Sequence, residues 1–121
     1  MIESIKFASV PVSDQDRALA FFTEKLGFEV LTDSPFDDEQ RWIELGLPNG
    51  DARLVLFTPD GQEDRIGSFM NIVFTSKNVE RTHDQLKDKG VPFDGPPKKQ
   101  DWGTFALFKD PDGNTFCISG P

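Results

Sequence analysis

Tyrosine is absent from this chain, and histidine and cysteine occur once each. A lone thiol, Cys117, cannot close an internal disulfide, which fits a reducing compartment. Phenylalanine, by contrast, occurs 12 times, so the interior is expected to be rich in rings that need no hydrogen-bond partner. Cations are also scarce. With 13 Lys and Arg against 21 Asp and Glu, the net charge is -8, and the clustered positive face that nucleic-acid phosphates require is missing. Lys98-Lys99, set between Pro97 and Gln100, is too short for a basic patch and reads as a solvated loop. No stretch approaches the roughly 20 apolar residues of a membrane span, and Met1-Ile2-Glu3 runs towards a strand without a signal peptide. The expectation is a cytoplasmic protein that binds neither nucleic acid nor membrane.

What is present is one short plan used twice. At 121 residues the chain is expected to be one domain, residues 1–121, large enough to enclose a small-molecule cleft. In the first half, Ile5 to Val12 reads as a strand with an edge or kink at Pro11. Ser13 or Asp14 caps a helix whose apolar stripe is Ala18, Leu19, Phe22 and Leu26, stopped by Gly27. Short strands follow at Phe28 to Thr32, Arg41 to Leu47 and Arg53 to Thr58, with a polar loop from Asp33 to Glu39 and turns at Pro48-Asn49-Gly50 and Pro59-Asp60-Gly61.

The second half repeats the order. Met70 to Thr75 reads as a strand, and Asn78 or Ser76 caps a helix with the stripe Val79, Thr82, His83 and Leu86, closed by Gly90. Val91 to Phe93 reads as a short strand, Pro96-Pro97 as a loop, and Trp102 to Lys109 with Asn114 to Ser119 as a hairpin turning at Asp110-Pro111-Asp112-Gly113. The fold class expected is α+β, two tandem βαβββ modules over residues 1–60 and 67–121, with a polar link between them. Superposed, the halves place Phe7 opposite Asn71, Gly27 opposite Gly90, Trp42 opposite Trp102 and Leu56 opposite Cys117.

These residues resemble the vicinal oxygen chelate superfamily of glyoxalases, bleomycin-resistance proteins and extradiol dioxygenases. The resemblance rests on Val10-Pro11-Val12-Ser13-Asp14, on Ala18-Leu19-Ala20-Phe21-Phe22, on Lys25-Leu26-Gly27-Phe28 and on Phe108-Lys109-Asp110-Pro111-Asp112-Gly113-Asn114. It implies that each module curls its sheet into a half-open cup, that the curved mixed sheet encloses one cleft, and that the chain forms a homodimer. In metal-dependent members the ligands sit on the first and last strands of each module, and carried over they fall on Phe7, Leu56, Asn71 and Cys117. A catalytic divalent metal needs about three protein ligands. Phe7 and Leu56 offer no lone pair, Asn71 is a weak neutral ligand and Cys117 has no partner donors. A slip of one residue brings in Lys6 or Ala8, Val55 or Phe57, and Phe116 or Ile118, which is no better. No metal and no cofactor are expected.

Strand alternation then sorts the cup lining. With Phe7, Leu56, Asn71 and Cys117 facing the cup, Ser9, Leu54, Val73 and Thr115 face it too, as do Trp42, Glu44, Trp102 and Thr104. The expected ligand-binding set is Phe7, Ser9, Trp42, Glu44, Leu56, Asn71, Trp102, Thr104 and Cys117. Two indoles and a carboxylate in an apolar hollow suit an aromatic or a cationic small molecule. The competing reading has Trp42 and Trp102 filling the cup or a dimer seam, and Glu44 paired with Arg41 or Arg53. His83 is either a general base or an ordinary helix residue, Cys117 either a nucleophile or a small buried thiol, and Arg65 either a ligand contact or a solvated charge. Three functions follow: a metal-independent, bleomycin-resistance-like binding protein; a glyoxalase-like lyase or dioxygenase-related enzyme with an atypical or metal-free site and Glu44 as its candidate catalytic acid or base; or a catalytically silent homodimer with a structural or regulatory role.

Overall fold

A computed structural model describes residues 1–50 and 52–121 of the chain. It divides into two compact units, Met1–Ile66 and Gly67–Pro121. Each is a four-stranded mixed sheet with one main helix, and the two follow the same βαβββ plan.

In the first unit, strand β1 (Phe7–Pro11) lies at a sheet edge and pairs in parallel with β4 (Arg53–Phe57). Pro11 is tolerated there because an edge strand leaves one side of its backbone outside the ladder. Asp14 caps helix α1 (Gln15–Ala20), its carboxylate accepting from Arg17 N–H at 3.0 Å. The next turn, Phe21–Lys25, widens into π geometry, and Gly27, at φ 76°, ends the run as its sequence position suggested. Strand β2 (Glu29–Pro35) pairs with β3 (Arg41–Gly46), which in turn pairs with β4, giving the order β1-β4-β3-β2. β2 runs three residues further than its apolar segment indicated, because Asp33 to Pro35 are held by backbone pairing with β3 rather than by burial. Phe22, Val10, Val12, Ile43, Leu45 and Leu56 are fully buried. Each large apolar side chain withdrawn in this way contributes about 1.5–3 kcal/mol.

The second unit places β5 (Phe69–Thr75) in parallel beside β8 (Thr115–Gly120), with β7 (Gly103–Lys109) and β6 (Lys98–Gln100) beyond, in the order β5-β8-β7-β6. Asn78 caps helix α2 (Val79–Asp88) by accepting from Arg81 N–H. The last edge strand is a correction to the sequence reading. Val91 to Phe93 contributes only an isolated bridge from Phe93 to Phe108, and the strand is Lys98–Gln100 in the segment read as a loop. Its residues are exposed and polar, so no alternation marks it. The turn between β7 and β8 falls where Asp110 to Gly113 required it, with Gly113 at φ 80° and Asp110 accepting from Asp112 N–H and Asn114 N–H. Among the described residues no helix is long and apolar enough to cross a membrane.

Candidate functional site

Register assigns the side chains of the first sheet to two faces. Residues directly opposite across neighbouring strands share a face, and neighbours along a strand alternate. Ile43 pairs with Leu56, Glu44 with Val55 and Leu45 with Leu54. Phe7 pairs with Arg53, Ser9 with Val55 and Val10 with Leu56. Val10, Ile43, Leu45, Leu54 and Leu56 therefore occupy the face covered by α1, and none is more than 2% exposed. The open face carries Phe7, Ser9, Trp42, Glu44, Arg53 and Val55.

On that open face the side chains assemble into a ring cluster with a charged margin. The Trp42 indole meets Phe7 edge-on at 5.6 Å between centroids and Phe36 at 5.9 Å with planes tilted by 35°. Its Nε1–H donates to Glu44 Oε1 at 2.8 Å, and the other carboxylate oxygen, Oε2, accepts from Arg53 Nη1 at 2.8 Å. The Arg53 bond first, and the Trp42 bond second, hold the Glu44 carboxyl below the usual glutamate value against the opposing effect of burial. Of the two arginines open as partners for Glu44, Arg53 is the one engaged. Arg41 belongs to the other face, where it bridges Asp16 and Asp33 at 2.7 and 2.9 Å.

A residue that sequence reasoning missed fixes the start of β3. Gln15, at the first position of α1, donates through Nε2 to the carbonyls of Arg41 and Leu56 and accepts from Arg41 N–H through Oε1. It thereby ties the helix to both strands immediately beside Trp42. Nothing in its sequence surroundings distinguishes it from a solvated helix residue. Phe36 was also missed, although a large ring inside a polar loop was a visible signal.

The second sheet separates in the same way. Thr104, Ala106, Phe108, Phe116 and Ile118 are buried and share the face towards α2, while Phe105, Leu107, Val73 and Cys117 share the other. Trp102 lies just before β7, is 64% exposed and stacks on Phe105 at 5.9 Å with planes 17° apart. It borders an open depression of about 570 Å³ lined also by Lys99, Gln100, Asp101 and Pro121. Asn71 has φ 58° where the β5–β8 register shifts, and is exposed. Burial pushes the Cys117 thiol above its usual value, which disfavours the thiolate a nucleophile needs.

Three residues expected to line the cup, Leu54, Leu56 and Thr104, are thus on the wrong side. Leu56 faces α1, and the position beside Ser9 on β4 is Val55, because a slip of one residue turns a strand side chain to the other face. Thr104 is 3% exposed on the α2 side, since Trp102 precedes the strand and does not share its alternation. The helix histidine is buried away from the open face. His83 is 7% exposed, its ring 4.5 Å from that of Phe93 and its Nδ1 3.0 Å from Asp84 Oδ1, on the covered side of the sheet. Arg65 donates to Gln62 in a short 3-10 turn, Glu63–Arg65.

The side chains at the metal positions implied by the resemblance do not fit a metal ion. Phe7 carries no lone pair, nor does either candidate on β4, and Asn71 and Cys117 have no carboxylate or imidazole beside them to complete a set. Among the described residues no three His, Cys, Asp or Glu side chains gather in one place.

Two βαβββ units with their helices on one sheet face and rings on the other define a glyoxalase-type fold. A family model of the Glyoxalase/Bleomycin resistance protein/Dioxygenase superfamily matches residues 4–118, and the chain belongs to that superfamily. Among solved structures it is similar to a member of the same superfamily from Sphaerobacter thermophilus, with a TM-score of 0.89, 30% identity and coverage of 99% of this chain and 98% of that one. It is likewise similar to TnmS3, an antibiotic binding protein from Streptomyces sp. CB03234, with a TM-score of 0.86, 33% identity and coverage of 99% and 97%. The uncharacterised protein YetH of Bacillus subtilis is 36% identical over 118 residues, 98% of each chain.

Proposed function

We propose that this chain binds and sequesters a small planar aromatic molecule on the open face of its first module, without a conventional metal site. The observation that carries the reading is the cluster of Phe7, Trp42 and Phe36, three rings in contact on the sheet face that no helix of the unit covers. Aromatic faces retain a ligand by offset stacking and by withdrawing its apolar surface from water. The similarity to an antibiotic binding protein supports binding rather than turnover. The alternative, Glu44 as catalytic acid or base, is disfavoured because both its oxygens are already engaged and its carboxyl is held in the ionised, weakly basic state. Phe105 and Trp102 offer a second, smaller ring surface in the other module.

The chain has two tryptophans and no tyrosine, so its emission reports on these two ring surfaces. Titration with two- and three-ring aromatics should quench it saturably, whereas saturated ring compounds of the same size should not. Trp42→Ala, which removes the first module's own reporter and is therefore titrated by calorimetry, should weaken the aromatic affinity about tenfold, the loss of one stacking partner. EDTA should leave the titration unchanged. A requirement for a stoichiometric, tightly held metal would overturn the reading.

A further inference from the structure

We infer that the ligand held on the first module is an acceptor-bearing aromatic, such as an aromatic carboxylate or phenolate, and not a cation. This rests on the ring-platform reading above and names the chemistry that platform selects. The argument is one of hydrogen-bond valence. Glu44 is the acid bonded to the ring cluster, it is 8% exposed, and each of its oxygens already accepts a bond, one from Trp42 and one from Arg53. Each oxygen keeps a lone pair, but so little of the carboxylate is exposed that an incoming ammonium group has little access to it. Arg53 is in the opposite position. Its guanidinium carries five N–H donors in a planar fork. Among the described residues one of them, on Nη1, is engaged by a side chain, and the Arg53 side chain is 54% exposed.

Position adds to valence. Arg53 stands directly opposite Phe7 across β1 and β4, and Phe7 touches Trp42, so the open guanidinium borders the rings. Lys6, next to Phe7 in the chain, is close enough to act on the Glu44 charge. Arg53 is thus the charged group that stands open beside the rings, in a chain whose net charge is -8. Glu44 has two roles in this arrangement: it orients the indole through Nε1 and holds the guanidinium at the ring margin. The charged group left for a ligand is a donor, and it selects oxygens that accept.

Three probes with the same ring system separate the possibilities: 2-naphthoate, 2-naphthylmethanol and 2-naphthylmethylammonium, titrated by tryptophan emission at low salt. The carboxylate should bind about tenfold more tightly than the ammonium, with the alcohol between them, and the ratio should fall towards unity as salt rises. Arg53→Leu should collapse the ratio. Glu44→Gln keeps an acceptor for Trp42 and for Arg53 while removing the negative charge beside the rings, so it should raise the ratio, and this opposite sign keeps the test decisive if Arg53→Leu folds poorly. An ammonium bound as tightly as the carboxylate, or a ratio unchanged by Glu44→Gln, would overturn the inference while leaving ring binding in place. Failure of all three probes to quench would overturn the ring platform itself, and the inference with it.

Discussion

Glu44 shows how one carboxylate can set the character of a surface. It is placed by alternation on β3, two residues from Trp42, and register puts Arg53 within reach from the neighbouring strand. Its lowered value has a definite consequence for stability. A carboxyl held below its unfolded value binds fewer protons when folded, so its contribution is fully present above the ordinary glutamate value of 4.5 and is lost as pH falls through the lower folded value. Wild type should therefore exceed Glu44→Gln in unfolding free energy at pH 7, and the difference should shrink in acid, measured by urea titration at a series of pH values. Because Arg53 is half exposed, the difference at pH 7 should be under about 1 kcal/mol. Asp110 has the opposite sign. Burial raises its carboxyl despite the bonds it accepts from Asn114 and Asp112, so its ionisation works against the folded state as pH rises from acid through its raised value.

Among the elements, what the sequence revealed depended on whether polar residues marked the alternation. The helices, the Gly27 and Gly90 stops and the Asp110–Gly113 turn were legible because each rests on a local conformational demand. The face of β4 was not. Leu54, Val55, Leu56 and Phe57 are all apolar, so alternation has nothing to register, and only pairing shows that Val55, though buried, shares the face of Glu44 and Ser9. On β3, where Glu44 lies between two buried aliphatics, Ile43 and Leu45, the same reasoning gave the face correctly. Element packing also explains Gly120, at the end of β8. A methyl group there would collide with the Ser76 carbonyl and crowd Val79 at the start of α2. Gly120→Ala should lower stability by about 1–3 kcal/mol, read as a lower urea midpoint with an unchanged slope. Gly46→Ala should cost less, because the nearest atoms to its new methyl group belong to the Leu31 side chain on the exposed edge strand β2, which can move aside.

For the molecule as a whole, the question is whether the repeat makes one domain or two. Met1–Ile66 and Gly67–Pro121 are each near the size at which a chain buries only about 60% of the surface it exposes when unfolded. Cores of that size are marginal alone, while residues 1–121 taken together are of ordinary domain size, so one cooperative transition is expected. The two tryptophans divide between the units and can report on each. Trp102→Phe leaves Trp42 reporting on the first, and Trp42→Phe leaves Trp102 reporting on the second. If the chain is one domain, both reporters and the far-ultraviolet circular dichroism give transitions coincident for each variant. The stricter test combines Gly120→Ala with Trp102→Phe, placing the damage in the second unit and the reporter in the first. A single domain carries the loss across, so the Trp42 midpoint falls by as much as the circular dichroism midpoint. Two independently folding units would leave the Trp42 midpoint where it was, because the free energy lost at Gly120 would then belong to the second unit alone.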